Sequence, residues 1–234
     1  MATYVLSDIH GNYQKYREML QKIQFSDNDT LYIVGDILDR GEEGLQILLD
    51  ISERFNVIPI LGNHELLAGK FLKMMLEEVN EETLASFSIE KIQALQDWML
   101  DGGSTTIQEF KKLSTFDRET AVEFLGEFSL GEEITVQGKT FLLVHAGLPS
   151  ADEYDVDELD FDVVINKTDY TKPAFGREIK NKYLITGHLP TFAIPGGEKG
   201  KIYIQNGHIA IDCGCTYGGS LGCLRLDDMQ EFYV

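Results

Sequence analysis

The sequence predicts an α/β protein folded as a four-layer α/β/β/α sandwich with a helical insertion, a single domain over residues 1–234. Three patterns lead there. Up to about residue 65, short apolar runs alternate with stretches of helical periodicity, which indicates βαβ units and a largely parallel first sheet. From about residue 66 to 128 the apolar residues recur at three- and four-residue steps, the mark of an all-helical insertion rather than a linker. Alternating runs joined by tight-turn dipeptides follow, the pattern of a hairpin-rich second sheet.

In chain order, "TYVLS" (3–7) is a short strand and "YQKYREMLQKI" (13–23) carries apolar positions at helical spacing. "TLYIVGD" (30–36) is a second strand, residues 43–54 are helical, and "NVIPILGNHE" (56–65) holds a third strand that stops at Gly62. The insertion opens with "HELLAGKFLKMMLEEV", continues with "LASFSIEKIQALQDWML" and ends in two shorter pieces after Gly102-Gly103. With its lone Trp98 it is expected to form core and cap, and to shape substrate access. "ITVQGKTFLLVHAG" (134–147) is a hairpin turning at Gln137-Gly138. "DEYDVDELDFD" (152–162) is an exposed acidic loop that lacks the glycine and terminal glutamate of a calcium loop. "KYLITGH" (182–188) is a strand, and Asn206-Gly207 in "KIYIQNGHIAID" (201–212) is the strongest short hairpin signal in the chain. "LGCLRLD" and "QEFYV" complete an antiparallel all-β tail.

Composition narrows the function. Apolar content of 43% and charged content of 25% are those of an ordinary soluble globule. No apolar run is long enough to span a bilayer and the N-terminus lacks a signal-peptide pattern, so a cytoplasmic location is expected. A net charge of −19 repels phosphate backbones and anionic lipid, which argues against nucleic-acid and membrane partners. An anionic substrate then needs concentrated local positive charge, which bound divalent cations supply. Cys213, Cys215 and Cys223 are odd in number and close together, so no disulfide framework is expected. Their spacing can be read as a soft-metal site. The stronger reading makes them small core residues alternating on a strand.

Chemistry collects where strands end. Asp8 and His10 project to one side of an extended chain, and Gly11 lets the backbone turn after them. Alone, this pair reads sooner as a helix cap beside a surface histidine than as metal ligands. The other strands end in "VGDILDRG", "LGNHE", "VHAG" and "TGH". Ligands bind at the carboxyl ends of strands in α/β folds, so Asp8, His10, Asp36, Asn63, His145 and His188 converge on one edge. This set of carboxylates, imidazoles and one amide, without cysteine, suits Mn²⁺, Fe²⁺ or Zn²⁺. Two ions sharing an aspartate clamp a phosphoryl group and acidify a water between them.

The ordered motifs "SDIHG", "GDILDRG", "GNHE", "HAG" and "GH" resemble the phosphoprotein phosphatase branch of the calcineurin-like metallophosphoesterases, most closely its compact bacterial serine/threonine phosphatases. The tail "HIAIDCGCTYGGSLGCLRLD" is similar to that family's closing strands. The resemblance implies the calcineurin-like fold and two divalent ions, manganese first, with iron or zinc allowed. It assigns Asp8, His10 and Asp36 to one ion, and Asp36, Asn63, His145 and His188 to the other. It makes His64 the general acid, Asp39 its orienting carboxylate and Arg40 a phosphate ligand. A histidine held by a carboxylate suits protonation of an alkoxide.

Taken singly, these residues have plainer readings. Asp39-Arg40 reads as a surface ion pair, and His145 and His188 as packed core histidines. His208 is a strand residue after a turn, and Tyr217 either lines the pocket or merely packs. The chain also departs from the family pattern. Where compact bacterial members carry W-x-R before the last "GH", this chain has Ile165 and Lys167, and lysine lacks the bidentate fork of arginine. Lys167 is the expected replacement, with Arg177 nearby as the other candidate.

The implied activity is phosphomonoester hydrolysis by direct attack of a hydroxide bridging the ions. The expected substrate is phosphoserine or phosphothreonine in proteins, or a small phosphoester. Hydrolysis of dinucleoside polyphosphates is the alternative, although those relatives usually carry "GNHD". A degenerate metal-binding interaction module is the non-enzymatic alternative, and an intact His64 and Arg40 argue against it.

Overall fold

The computed structural model describes residues 1–77, 88–148, 154–166 and 168–234. In the first sheet, β1 (Thr3–Leu6), β2 (Thr30–Val34) and β3 (Val57–Ile60) run parallel, linked by α1 (Tyr13–Lys22) and α2 (Gly44–Ser52). The second sheet is built on β4 (Gly131–Val136), β5 (Lys139–Val144), β6 (Lys182–Thr186), β7 (Tyr203–Gln205) and β8 (His208–Ala210), in the order β4-β5-β6-β8-β7. Both expected hairpin turns form, with positive φ at Gln137-Gly138 and at Asn206-Gly207 as a two-residue turn requires.

Strand alternation sets the layers. Val5, Val34 and Ile60 of the first sheet meet Phe141, Leu143, Ile185 and Ile209 of the second in a fully buried layer between the sheets. Each such side chain contributes about 1.5–3 kcal/mol on burial. Their neighbours Tyr4, Leu6, Leu31 and Ile33 join the larger core on the helical side, with Tyr16, Met19, Leu45 and Leu48. The sandwich is the one the sequence predicts. The outer face of the second sheet is covered by short 3₁₀ turns and by Tyr170, whose ring lies 5.0 Å from that of His208.

The tail is the expected antiparallel pair, and the structure adds which sheet it joins. β9 (Gly222–Arg225) runs antiparallel to β1 and β10 (Gln230–Tyr233) antiparallel to β9, extending the first sheet to β10-β9-β1-β2-β3. β8 pairs parallel to β6 rather than only with its hairpin partner. Sequence alternation reports which face a residue uses but not which neighbour it pairs with.

After β3 the chain enters α3 (Asn63–Leu76), α4 (Ile89–Trp98), a wide turn at Met99–Gly103, α5 (Ser104–Lys112) and α6 (Thr115–Leu125). These helices pack on α2 and on one another, and Trp98 stacks on Phe71 at 5.4 Å. Asp155, Asp157, Glu158, Asp160 and Asp162 of the acidic stretch are exposed, while its first two residues lie outside the described set. Among the described residues, no helix is long and apolar enough to cross a membrane.

Candidate active site

The loops after β1, β2, β3, β5 and β6 meet at one edge of the sandwich. The first two run side by side, the N–H of Asp8 donating to Gly35 O at 3.1 Å and that of His10 to Asp36 O at 2.9 Å. His145 ties the sheets together, its Nδ1 donating to Val34 O at 2.9 Å. The His188 N–H donates to the Asp8 carboxylate at 3.1 Å. A side chain at Gly187 would stand 2.3 Å from Asp8 Oδ2, so only glycine lets these two loops approach.

Backbone strain concentrates here. Asp8, His10, Asp36, Asp39, Arg40 and His188 all have φ between +46° and +67°. Such conformations in non-glycine residues persist only where surroundings impose them, and they gather at functional sites.

The donor atoms form two groups joined by one carboxylate. Asp36 Oδ1 lies 3.2 Å from His145 Nε2, and Asn63 Oδ1 lies 3.0 Å from both His145 Nε2 and His188 Nδ1. Asp36 Oδ2 faces the other way, 3.5 Å from His10 Nε2 and 3.8 Å from His64 Nε2. Asp8 borders this second set, its Oδ1 4.0 Å from His10 Nε2. Ligands bonded to one ion at about 2.1 Å stand about 3.0–3.4 Å apart, so the closest of these separations already suit a common ion. His10 Nδ1 is engaged with Leu38 O at 2.8 Å, which leaves its Nε2 lone pair facing Asp36. The residues present therefore fit two divalent ions.

Electrostatics separate the histidines. Burial, with Arg40 and His64 adding to it against Asp36, pushes His10 down to about 3. Burial and the charge on His145 push His188 down to about 4. Burial also opposes a charge on His145, but Asp36 and then Asp8 outweigh it and push His145 up to about 10. At His64 burial is likewise outweighed by Asp36 and Asp39, which raise its pKa. Two imidazoles are thus neutral, and His64 is biased to hold a proton.

His64 sits at the start of α3 with Nδ1 2.7 Å from Asp39 Oδ2. Asp39 is wholly buried, and the insertion supplies its other partners. Trp98 Nε1 donates to Oδ2 at 2.6 Å and Thr106 Oγ1 to Oδ1 at 2.5 Å. Arg40 reaches both groups' neighbourhood, Nη1 donating to His10 Nε2 at 2.9 Å and Nη2 standing 3.1 Å from His64 Nε2. Nη2 also pairs with Asp101 at 3.2 Å, and the Arg40 N–H donates to Gly102 O at 3.2 Å.

Sequence reasoning missed Trp98, Asp101 and Thr106, reading the insertion as core and cap. The only local signal was the helix-breaking Gly102-Gly103 pair inside a helical stretch. Glu65 was missed as well. Its buried carboxylate accepts the backbone N–H groups of Asp36, Ile37, Leu38 and Gly62 at 2.7–3.2 Å, fixing the loop that carries Asp36.

Of the remaining predicted substrate ligands, Arg177 is not gathered in. Arg177 is exposed and lines a cleft with Glu133, Tyr154 and Lys182, at the end of β6 opposite His188. Lys167 lies outside the described residues; its neighbours Asn166 and Thr168 donate to the carbonyls of Leu148 and Ala146, just after His145. His208 is a buried strand residue with Nε2 3.1 Å from Lys172 O, as expected. Cys213, Cys215 and Cys223 are buried and free.

Residues 1–192 match the family described as calcineurin-like phosphoesterase, and the chain belongs to that family of metal-dependent phosphoester hydrolases. Within it, the chain is 26% identical to the symmetrical bis(5'-nucleosyl)-tetraphosphatases of Proteus mirabilis (strain HI4320) and Chromobacterium violaceum, covering 99% of this chain with 97% and 94% of those proteins. A crystal structure provisionally assigned as a diadenosine tetraphosphatase superposes with TM-score 0.65 at 19% identity, over 99% of this chain and 92% of that one. A serine/threonine phosphatase of Saccharomyces cerevisiae shares the fold at TM-score 0.53 and 14% identity, over 97% of this chain and 72% of that one.

Proposed function

We propose that this chain is a two-ion hydrolase that splits dinucleoside tetraphosphates at the central anhydride, giving two nucleoside diphosphates. The observation that carries the reaction class is Asp36, whose two oxygens face the two donor groups in opposite directions. In this reading Asp8, His10 and Asp36 hold one ion, and Asp36, Asn63, His145 and His188 hold the other. The donor set suits manganese first, with iron and zinc also compatible. Ions held there would supply positive charge to the reacting phosphoryl group and lower the pKa of an attacking water.

The protein's own groups do the rest. Arg40 offers a planar fork of donors to phosphate oxygens. His64 holds a proton at Nε2 while Nδ1 stays on Asp39, and delivers that proton to the departing oxygen. Asp39, fixed by Trp98 and Thr106, keeps the ring in that orientation. Lys167 is the proposed second phosphate cation, and Arg177 has no such role.

The dinucleotide reading replaces phosphoprotein hydrolysis as the preferred one for two reasons. Likeness to the symmetrical tetraphosphatases runs over 99% of the chain. The glutamate of "GNHE", which favoured a phosphoprotein substrate, spends its carboxylate on four backbone N–H groups and so has no bearing on substrate choice. The test is a side-by-side assay of diadenosine tetraphosphate, a phosphoserine peptide and p-nitrophenyl phosphate with added Mn²⁺. Adenosine diphosphate as the sole nucleotide product, with the highest kcat/KM of the panel, is expected. Phosphate release from the peptide with the dinucleotide intact would overturn the assignment.

A further inference from the structure

We propose that Phe192 and Tyr217 form a stacking platform for a nucleobase at the rim of this site, an inference that rests on the dinucleotide reading. Scattered exposed apolar side chains are normal on a protein surface. These two are not scattered. Phe192 is 43% exposed and Tyr217 49%, and their rings meet edge to face with centroids 5.9 Å apart.

The pair is held firmly. Phe192 rides on the 3₁₀ turn Thr191–Ala193, pinned by the buried Thr191, whose N–H donates to Asp212 O at 2.8 Å and whose Oγ1 donates to Glu198 O at 3.0 Å. Tyr217 rides on the turn Cys215–Tyr217, anchored by the buried Cys215. Gly214 has φ +73°, and a Cβ there would stand 2.9 Å from the Phe192 ring. Glycine thus lets the ring lie over the backbone. Exposed rings fixed in advance lose little entropy when a flat ligand settles on them.

Position and charge select the occupant. Phe192 follows His188 by four residues. The Arg40 guanidinium carbon lies 5.7 Å from the Tyr217 ring centre, while Nη2 of the same group is 3.1 Å from His64 Nε2. One guanidinium therefore separates the platform from the reacting centre. Lys199 Nζ stands 6.0 Å from the Phe192 ring, and Lys15 Nζ donates to Gly219 O at 2.9 Å, so cations ring this loop in a chain of net charge −19. Aromatic faces beside cations are the combination that binds a base and its phosphates, because every base has a π-face and stacking tolerates its identity. A purine nucleoside diphosphate unit fits this chemistry: base on Phe192 and Tyr217, phosphates toward Arg40 and Lys199.

The test compares adenosine diphosphate with inorganic pyrophosphate as competitive inhibitors of diadenosine tetraphosphate hydrolysis, at fixed free Mn²⁺. In the wild-type protein the nucleotide should bind better because of its base. Phe192→Ala, which leaves the Tyr217–Arg40 contact in place, should shrink that preference about tenfold, the size of a lost base stack. Tyr217→Ala should do the same, and Tyr217→Trp should restore it. If both alanine variants keep the wild-type preference while hydrolysis proceeds, the platform is overturned and the dinucleotide reading stands. If the wild-type protein leaves the dinucleotide intact, the functional reading itself fails. Weakening of both inhibitors by the same factor would mean that the rings only support Arg40, and would also overturn the platform.

Discussion

Around Asn63 stand His145, His188 and one oxygen of Asp36. Around His10, the other oxygen of Asp36 looks onto a ring nitrogen that Arg40 already holds at 2.9 Å. A ring nitrogen accepting from a guanidinium cannot ligate an ion at the same moment. In this reading the Asn63 group takes an ion once His145 gives up its proton, whereas the His10 group takes one only as Arg40 turns outward. The difference teaches where the insertion acts. Its loop holds Arg40 through Asp101 and the Gly102 carbonyl, and its helices hold Asp39 through Trp98 and Thr106. One half of the site belongs to the sheets, and the other is finished by the insertion.

The largest effect should come from breaking the link between the halves. Asp36→Asn should weaken both ions, whereas His10→Ala should weaken only the looser one. Activity of Asp36→Asn should fall by more than the about 10–100-fold that loss of an outer hydrogen-bond partner costs. Elemental analysis of the desalted variants distinguishes these outcomes, and two ions retained by Asp36→Asn would break the comparison.

Next is the proton. His64→Asn should keep its ions and lose about 10²–10⁴-fold in kcat on an alkyl phosphate, where the leaving oxygen needs a proton. On diadenosine tetraphosphate the loss should be smaller, because a departing diphosphate carries its own charge well. Equal losses on the two substrates would make His64 structural.

A third prediction concerns the Asn63 group alone. Before ions bind, His145 is charged, pushed up to about 10 by Asp36 and Asp8 against the opposing effect of burial. For its Nε2 to ligate, that proton must leave. Ion affinity should therefore rise by about tenfold per pH unit below 10, for each proton released. Calorimetric titration at pH 7.5 in buffers of different ionisation enthalpy should register at least one proton leaving per molecule, and none would contradict the Asp36–His145 pairing.

The smallest effect tests the insertion's grip. Trp98→Phe keeps the stack on Phe71 but removes one donor from the buried Asp39 carboxylate. Stability should fall by about 1.5–3 kcal/mol, the worth of a hydrogen bond to a charged group. The kcat should fall about tenfold, and the acidic side of its pH profile should shift as His64 loses a firmly held partner. A stability loss with an unmoved profile would limit Trp98 to packing.

How legible the molecule was follows the same division. Asp8, His10, Asp36, Asn63, His145 and His188 were readable because each closes a strand, and strand ends converge by the geometry of α/β folds. Trp98 and Thr106 were not readable. They lie 59 and 67 residues from Asp39, and nothing local distinguishes a helix residue that donates to a carboxylate from one that packs. Glu65 was read as part of a motif, while its work is done on backbone groups that carry no side-chain signature. The tail was readable as antiparallel strands, but alternation in "LGCLRLD" does not say that it joins β1 in the first sheet. Arg177 was close to the last motif in sequence, yet the length of β6 carries it to the far end of the sheet.

The central claim is that one carboxylate joins two ion sites. Anomalous diffraction from crystals of the protein grown with Mn²⁺ measures this directly. Two peaks about 3.5–4 Å apart are predicted, with Asp36 bonded to both, one flanked by Asn63, His145 and His188 and the other by Asp8 and His10. A single peak, or two peaks of which only one touches Asp36, would contradict the account.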